Sequence, residues 1–187
     1  MDQDIKVLRS LASQYFEYAM SDENYQKMEL HRSSNDLKKG TRPVVLLSEI
    51  PWHELQPTEE LQPVCEDPVL RAVESQIRKT LFQKKYFPGD MVIAPYIGVR
   101  KVVLNENDGL KPIYTEVDRK SENTVQAHQF ATQFHTMDDV EKIEFDKIFY
   151  DRHTTMRQYE RVADAIGDIV PVKLVGMYAV MGISHTP

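Results

Sequence analysis

Cysteine and tryptophan are the scarcest residues of this 187-residue chain, which has one of each, Cys65 and Trp52. A single cysteine cannot form an internal disulfide bond, and the opening residues MDQDIKVL have neither the charged leader nor the apolar core of a signal peptide. Both absences favour a cytoplasmic location. Two acidic residues follow Cys65 and disfavour its thiolate, so the sequence indicates a structural cysteine.

The chain also lacks a dense basic stripe and a long apolar run. Its formal charge is −6 and its pI is near 5.5, so a surface that neutralises nucleic-acid phosphates is not expected. The longest apolar stretch, residues 174–183, is far shorter than the ~20 residues that span a bilayer. We therefore expect neither a nucleic-acid partner nor a membrane. A composition with 41% hydrophobic and 28% charged residues is typical of a globular protein with one core.

Apolar residues spaced three and four apart predict amphipathic helices at residues 4–20, 68–87 and 151–166. Asp67 before Pro68 is a typical helix start, because the carboxylate accepts free amide hydrogens and proline suits the first helical position. A weaker helix is expected between Ser21 and Gly40, which makes residues 1–40 an N-terminal helical segment and residues 41–187 the remaining domain.

Shorter apolar runs predict strands, so the fold class is α/β. Val44–Leu47 and Val172–Met181 are continuous runs typical of strands buried on both faces. Residues 91–104 contain two strand runs that are interrupted near Tyr96, and residues 113–117 predict a strand of an antiparallel excursion. A doubly buried strand so near Pro187 needs cover, which predicts self-association or a missing C-terminal half.

Glu49, Trp52 and His53 directly follow the first of these predicted strands. Ligands of parallel α/β folds bind outside the carboxyl ends of the strands, so we expect a site here. The alternative is that Trp52 is a core aromatic residue and His53 belongs to a solvated turn. Tyr96, at the break between two strand runs, either points its hydroxyl into a pocket or packs at a strand end. The histidines and the cysteine lack metal-ligand spacing, so no metal site is expected in this chain.

Four segments, in this order and spacing, resemble the amino-terminal half of the uroporphyrinogen decarboxylase-like family, especially its branch related to corrinoid-dependent methyltransferases. They are RPVVLLSEIPWHEL, CEDPVLRAVESQIRKTLFQKKYFPGDMVIAPYIGVRKV, TMDDVEKI and VADAIGDIVPVKLVGM. The resemblance covers about Leu8 to Met181. It implies the amino-terminal part of a (β/α)8 TIM-type barrel, because a whole barrel needs about 250 residues.

The resemblance also implies roles for individual residues. Glu49 and His53 are the expected catalytic residues, and Trp52, Tyr96 and Tyr178 are the expected substrate-binding residues. The arginine-rich motif of true uroporphyrinogen decarboxylases has no match, and the zinc ligands of the methyltransferase branch would lie beyond Pro187. No cofactor is therefore expected in this chain, whereas a corrinoid protein as partner and a zinc ion are possible in the full-length context.

Two functions follow as hypotheses. The first is the amino-terminal portion of such a methyltransferase-type protein, or less readily a decarboxylase, without complete catalytic machinery. The second is a self-contained, non-enzymatic binding or assembly domain whose exposed strands pair with a partner chain.

Overall fold

The computed structural model of the protein describes residues 3–47, 49–55, 57–105, 114–116, 128–132, 134–143 and 147–176. The chain forms two compact units. Residues up to 101 together with those from 153 make the first unit, and residues 102–152 make the second. The predicted division at residue 40 stays a prediction.

The described residues contain five α-helices and six short strands. The helices are α1 (Gln3–Ala19), α2 (Asp22–Asn35), α3 (Trp52–Leu55), α4 (Pro68–Tyr86) and α5 (Arg152–Ile166). The strands are β1 (Ile97–Arg100), β2 (Val103–Asn105), β3 (Tyr114–Glu116), β4 (His128–Phe130), β5 (Ile148–Tyr150) and β6 (Val172–Val175). Two 3₁₀ helices lie at Glu59–Leu61 and Met137–Lys142. No helix in the described ranges is long and apolar enough to cross a membrane.

The helix predictions are confirmed with small changes at their ends. The Asp67 carboxylate accepts the amide hydrogens of Val69 and Leu70 at the start of α4. The second helix ends before its predicted stop at Gly40. Its last carbonyls accept hydrogen bonds from Asp36 and Lys38, and Leu37 has a φ of +53°, which is incompatible with a continuing helix.

The first unit places helices against one parallel strand pair. β1 and β6 pair in parallel, with Ile97 opposite Val172 and Arg100 opposite Val175. The core consists of apolar side chains from α1, α4, α5 and these strands. Its fully buried members include Leu8, Ala12, Leu70, Ile77, Ile97, Val162, Ala165, Ile166 and Val170. One hydrophobic core therefore holds the helices on the strand pair.

The prediction of a strand at Val44–Leu47 is wrong. This extended segment belongs to no strand, and Val45, Leu46 and Leu47 expose 60%, 56% and 48% of their surface. An apolar run can form a buried strand only when neighbouring strands supply hydrogen bonds and cover. Among the described residues, this segment forms a single backbone–backbone hydrogen bond, from the Asp90 amide to the Val45 carbonyl at 2.8 Å.

Two other strand predictions also need correction. Residues 91–94 are not a strand, although Ile93 is buried in the core. β6 is only partly buried rather than covered on both faces, and the remainder of the run predicted to end at Met181 lies outside the described residues.

The second unit confirms the predicted antiparallel excursion. β2 pairs with β5, and β3 pairs with β4, both antiparallel. The 3₁₀ helix at Met137–Lys142 begins with a capping box, in which the Asp139 carboxylate accepts the amide hydrogen of Thr136 at 2.7 Å. The chain is thus a mixed α/β protein, and its described strands form three two-stranded sheets without a closed barrel.

Candidate functional site

The short helix α3 positions the only tryptophan of the chain. It begins directly after Pro51, whose carbonyl accepts hydrogen bonds from the amides of Glu54 and Leu55 at 2.9 and 3.3 Å. The Trp52 ring meets Phe82 of α4 edge to face, with the ring centroids 6.3 Å apart. This aromatic contact holds α3 against the longest helix of the first unit.

Trp52 and His53 line one cavity of about 470 Å³, which we call the Trp52 cavity. Its other lining residues are Ile50, Leu61, Pro63, Ser75 and Lys79. Apolar walls with a few polar groups, at this size, are typical of small-molecule sites. Leu61 is 8% exposed, so its side chain closes the inner wall of the cavity.

The charged groups of the Trp52 cavity are Lys79 and, when protonated, His53. The Lys79 ammonium lies 5.6 Å from the centroid of the Trp52 ring, within the range of a cation–π interaction. The His53 Nε2 atom lies 3.6 Å from a carboxylate oxygen of Glu54, which is too long for a hydrogen bond. His53 is half-buried and its neighbour is exposed, so the imidazole is accessible to solvent and to a ligand in the cavity.

Of the four predicted site residues that the structure describes, two lie in one cavity, namely Trp52 and His53. Glu49 is exposed and does not line the Trp52 cavity. Tyr96 precedes β1, where the Lys173 ammonium lies 4.4 Å from its ring centroid and its carbonyl accepts a hydrogen bond from Tyr15. Tyr178 lies outside the described residues. The catalytic and binding roles of all five stay predictions.

Sequence reasoning missed Ser75 and Lys79. They are four residues apart on α4, so they share one helix face away from the buried Leu70, Val73 and Ile77 stripe. That spacing was available from the sequence. The sequence does not predict that α3 packs on α4, and this packing places Trp52 beside the face that carries Ser75 and Lys79.

Asp90 positions the exposed segment that leads to the site. Its buried carboxylate accepts two hydrogen bonds from Arg42, at 2.6 and 2.7 Å, and one from the Val45 amide at 2.8 Å. The Arg42 hydrogen bonds, followed by that of the Val45 amide, hold the pKa of Asp90 well below its usual value. Gly89 is required here, because a Cβ atom would lie 2.8 Å from the Val45 carbonyl oxygen and φ is +43°.

His31 contributes to the same attachment. Its Nε2 atom lies 2.7 Å from the backbone carbonyl oxygen of Asp90, so the imidazole donates a hydrogen bond to it. The sequence indicates a surface position for this histidine in the second helix. The structure instead places it half-buried between α2 and the turn at Asp90.

Glu74 positions the loop that supplies Pro63 to the Trp52 cavity. Its fully buried carboxylate accepts the amide hydrogens of Val64 and Cys65 and a hydrogen bond from Arg78 at 2.7 Å. Burial raises the pKa of Glu74, but these hydrogen bonds outweigh burial and the pKa is lowered. Burial, then the adjacent Glu74 carboxylate, raises the pKa of the Cys65 thiol to about 12. Such a thiol is unreactive at neutral pH, in accord with a structural role.

Within the ranges that the structure describes, no three His, Cys, Asp or Glu side chains are grouped closely enough to hold a metal ion. The expectation that the chain carries no cofactor stays an expectation. The site geometry by itself provides an aromatic wall, a histidine and a lysine around a cavity of small-molecule size.

The chain matches no protein-family model, no curated protein and no solved structure. The resemblance to the uroporphyrinogen decarboxylase-like family therefore rests on the sequence segments alone.

Proposed function

We propose that this chain is the amino-terminal portion of a uroporphyrinogen decarboxylase-like protein of the corrinoid-dependent methyltransferase type, and that it is not catalytically complete by itself. One observation carries the proposal, namely the exposure of the extended apolar run Val45–Leu47 immediately before the Trp52 cavity. In a closed barrel every strand has two neighbours. The described chain supplies neither neighbour to this run, which is therefore left exposed.

The order of elements in the first unit supports the same proposal. The run Val45–Leu47 is followed by the short α3 and a 3₁₀ helix, then α4, β1, α5 and β6, with the second unit inserted after β1. β1 and β6 are parallel. Alternation of parallel extended segments with helices is the building plan of (β/α)8 barrels, and these barrels bind substrates at the carboxyl ends of their strands.

In this proposal the Trp52 cavity is one part of the substrate site. Trp52 forms an apolar wall for a small methylated substrate. When a neutral ether or amine loses its methyl group as a methyl cation, the heteroatom is left with a negative charge and must gain a proton. We assign that proton to the His53 imidazolium. Glu49, Tyr96 and Tyr178 are proposed to reach this site only in the longer protein. The corrinoid protein as methyl acceptor and the zinc ion belong to that full-length context.

The second candidate is a non-enzymatic binding or assembly domain. It is favoured by the same apolar run and by the two-stranded sheet of β1 and β6, since a pair of strands presents two edges. A partner chain could add a strand there through main-chain hydrogen bonds. The two candidates differ in one respect, because only the first requires additional protein sequence for activity.

The test compares this chain with the protein from a reading frame that continues about 150 residues past Pro187. Both are assayed for methyl transfer to cobalamin from a panel of methylated amines and methyl ethers. Only the longer protein is expected to turn over, and His53→Ala in it should lower turnover roughly 100-fold or more. His153→Ala, at an exposed histidine of α5, is the matched control and should change nothing.

Equal turnover by His53→Ala and the unmodified longer protein would remove the proton-transfer role. A longer protein that transfers no methyl group, beside a stable dimer of this chain, would favour the assembly domain.

A further inference from the structure

A second and larger cavity borders the Trp52 cavity across α4. It has a volume of about 720 Å³ and lies between α4, α5 and the carboxyl-terminal half of β1. We call it the α4–α5 cavity. Ser75 and Lys79 line both cavities, whereas the remaining lining residues of each are different. Its volume is in the range of small-molecule sites, about 300–1,000 Å³.

The ionisable groups that line the α4–α5 cavity are all cationic. They are Lys79, Arg100 and Arg157, and no described lining residue is Asp or Glu. This composition is unexpected in a chain whose net charge is −6. A cavity whose charged lining residues are all positive has a local electrostatic potential that attracts anions.

These three cations also have no carboxylate partner within 4.0 Å among the described residues. Three other arginines of the first unit are neutralised, since Arg9, Arg42 and Arg78 form ion pairs with Asp168, Asp90 and Glu74. The side chains of Arg100 and Arg157 are exposed and reach the cavity from β1 and α5, two different elements. A planar guanidinium suits bidentate recognition of carboxylate and phosphate groups.

The wall between the cations is apolar. It is formed by Val69, Ala72 and Val73 of α4, Val99 of β1 and Val162 of α5, with Gln76 and Gln158 as uncharged polar neighbours. Val69 is half-buried and Ala72 is exposed, so they provide accessible apolar surface. The buried Val73, Val99 and Val162 pack behind this surface and hold it in place. A ligand that fits must therefore combine an apolar body with an anionic head.

We propose that the α4–α5 cavity binds a small amphipathic organic anion, whose carboxylate or phosphate head contacts Arg100 and Arg157 and whose apolar body lies on the valine wall. The proposal does not depend on the methyltransferase proposal, because the Trp52 cavity is lined by different aromatic and imidazole groups. It adds a ligand site to the chain as it stands, without any further protein sequence.

The test is calorimetric titration of this chain with three probes that share one apolar body: 2-naphthoate, 2-naphthyl phosphate and neutral 2-naphthalenemethanol. One of the anions is expected to bind at least tenfold more tightly than the neutral probe. The tighter anion identifies the head group, and either identity supports the proposal. Raising the salt concentration should weaken the binding of the anion only.

Variants locate the binding. Arg100→Gln with Arg157→Gln should weaken binding of the tighter anion at least tenfold. The control, Lys39→Gln with Arg152→Gln, makes the same change in net charge at exposed residues outside the cavity and should leave binding unchanged. Circular dichroism checks that both variants keep the fold. Equal affinity for anionic and neutral probes, equal weakening in both double variants, or binding of an acidic peptide but of neither anion would overturn the proposal.

Discussion

Buried carboxylates hold the loop before α4 through backbone amides. Asp4 accepts the amide hydrogens of Glu66 and Asp67, both at 2.9 Å, and Glu74 accepts those of Val64 and Cys65. An amide buried without such a partner costs free energy. The sequence indicates the Asp67 cap because cap and helix are adjacent, but Asp4 lies 62 residues before Glu66, so its role required the packed structure.

Glu74→Gln should lower the free energy of unfolding by about 2 kcal/mol, because the charged acceptor of two amides and of Arg78 becomes a neutral amide side chain. Chemical denaturation measures the change. Glu17→Gln, at an exposed residue of α1, is the control and should change stability by less than about 0.5 kcal/mol. Equal effects of the two substitutions would show that the buried hydrogen bonds contribute nothing.

The Cys65 thiol predicts a loss of stability in alkaline solution. Its pKa is raised from 9.0 to about 12 in the folded chain, so the unfolded chain loses the proton first. Stability therefore falls as pH rises above about 9, by at most about 1.4 kcal/mol per pH unit from this group. Cys65→Ala should make the free energy of unfolding less steep between pH 9 and 12. Part of the slope should remain, since burial also raises the pKa of Tyr15 to about 12. Identical slopes would contradict the burial of the thiol.

At the scale of elements, helices were predictable and strands less so. Helices form their hydrogen bonds locally, so the spacing of apolar residues and the helix starts at Ser21 and Asp67 were sufficient. Strands need partners that are distant in sequence. The β-branched run Val44–Leu47 has the composition of a buried strand, but the described chain supplies no neighbouring strand for it.

Because the run Val45–Leu47 is exposed, replacing its residues should cost little free energy of unfolding, in contrast to what a buried strand would predict. As part of a buried strand, Leu46→Ala would cost on the order of 2–5 kcal/mol. In this chain Leu46 is 56% exposed, and the substitution should cost less than about 0.5 kcal/mol. Leu70→Ala, at a fully buried residue of α4, is the comparison and should cost about 2–5 kcal/mol. A loss at Leu46 equal to that at Leu70 in urea denaturation would show that the run is buried in solution.

At the scale of the whole molecule, the sequence predicted part of the Trp52 cavity and none of the α4–α5 cavity. Trp52 and His53 are adjacent in the chain and lie in one cavity, which local reasoning could predict. The α4–α5 cavity takes its cations from three elements, namely Lys79 from α4, Arg100 from β1 and Arg157 from α5. These elements are packed together only in the folded chain, so the spacing of the residues in the sequence does not predict that they share a cavity. The exposure of the apolar run Val45–Leu47 likewise becomes visible only in the folded chain.

That surface predicts self-association of this chain. Val45, Leu46 and Leu47 form a contiguous apolar segment, and contiguous apolar surface favours contacts between copies. Light scattering at high micromolar concentration should give a mass above that of the 21.7 kDa monomer. Leu46→Lys with Leu47→Lys should lower the measured mass, whereas Lys38→Gln with Lys39→Gln should not. A monodisperse monomer that binds no dye for apolar surface would contradict this prediction.

The central proposal is that Val45–Leu47, which is no strand in this chain, becomes a barrel strand when a longer protein supplies its neighbours. Amide hydrogen exchange at Leu46 and Leu47, compared between this chain and the longer protein, tests it most directly. No described residue accepts a hydrogen bond from either amide, so both should exchange rapidly in this chain. In the longer protein, pairing with a further strand should slow exchange by on the order of 100-fold or more, while Ile77 in α4 is protected in both. Equally rapid exchange at Leu46 and Leu47 in the two proteins would contradict the claim.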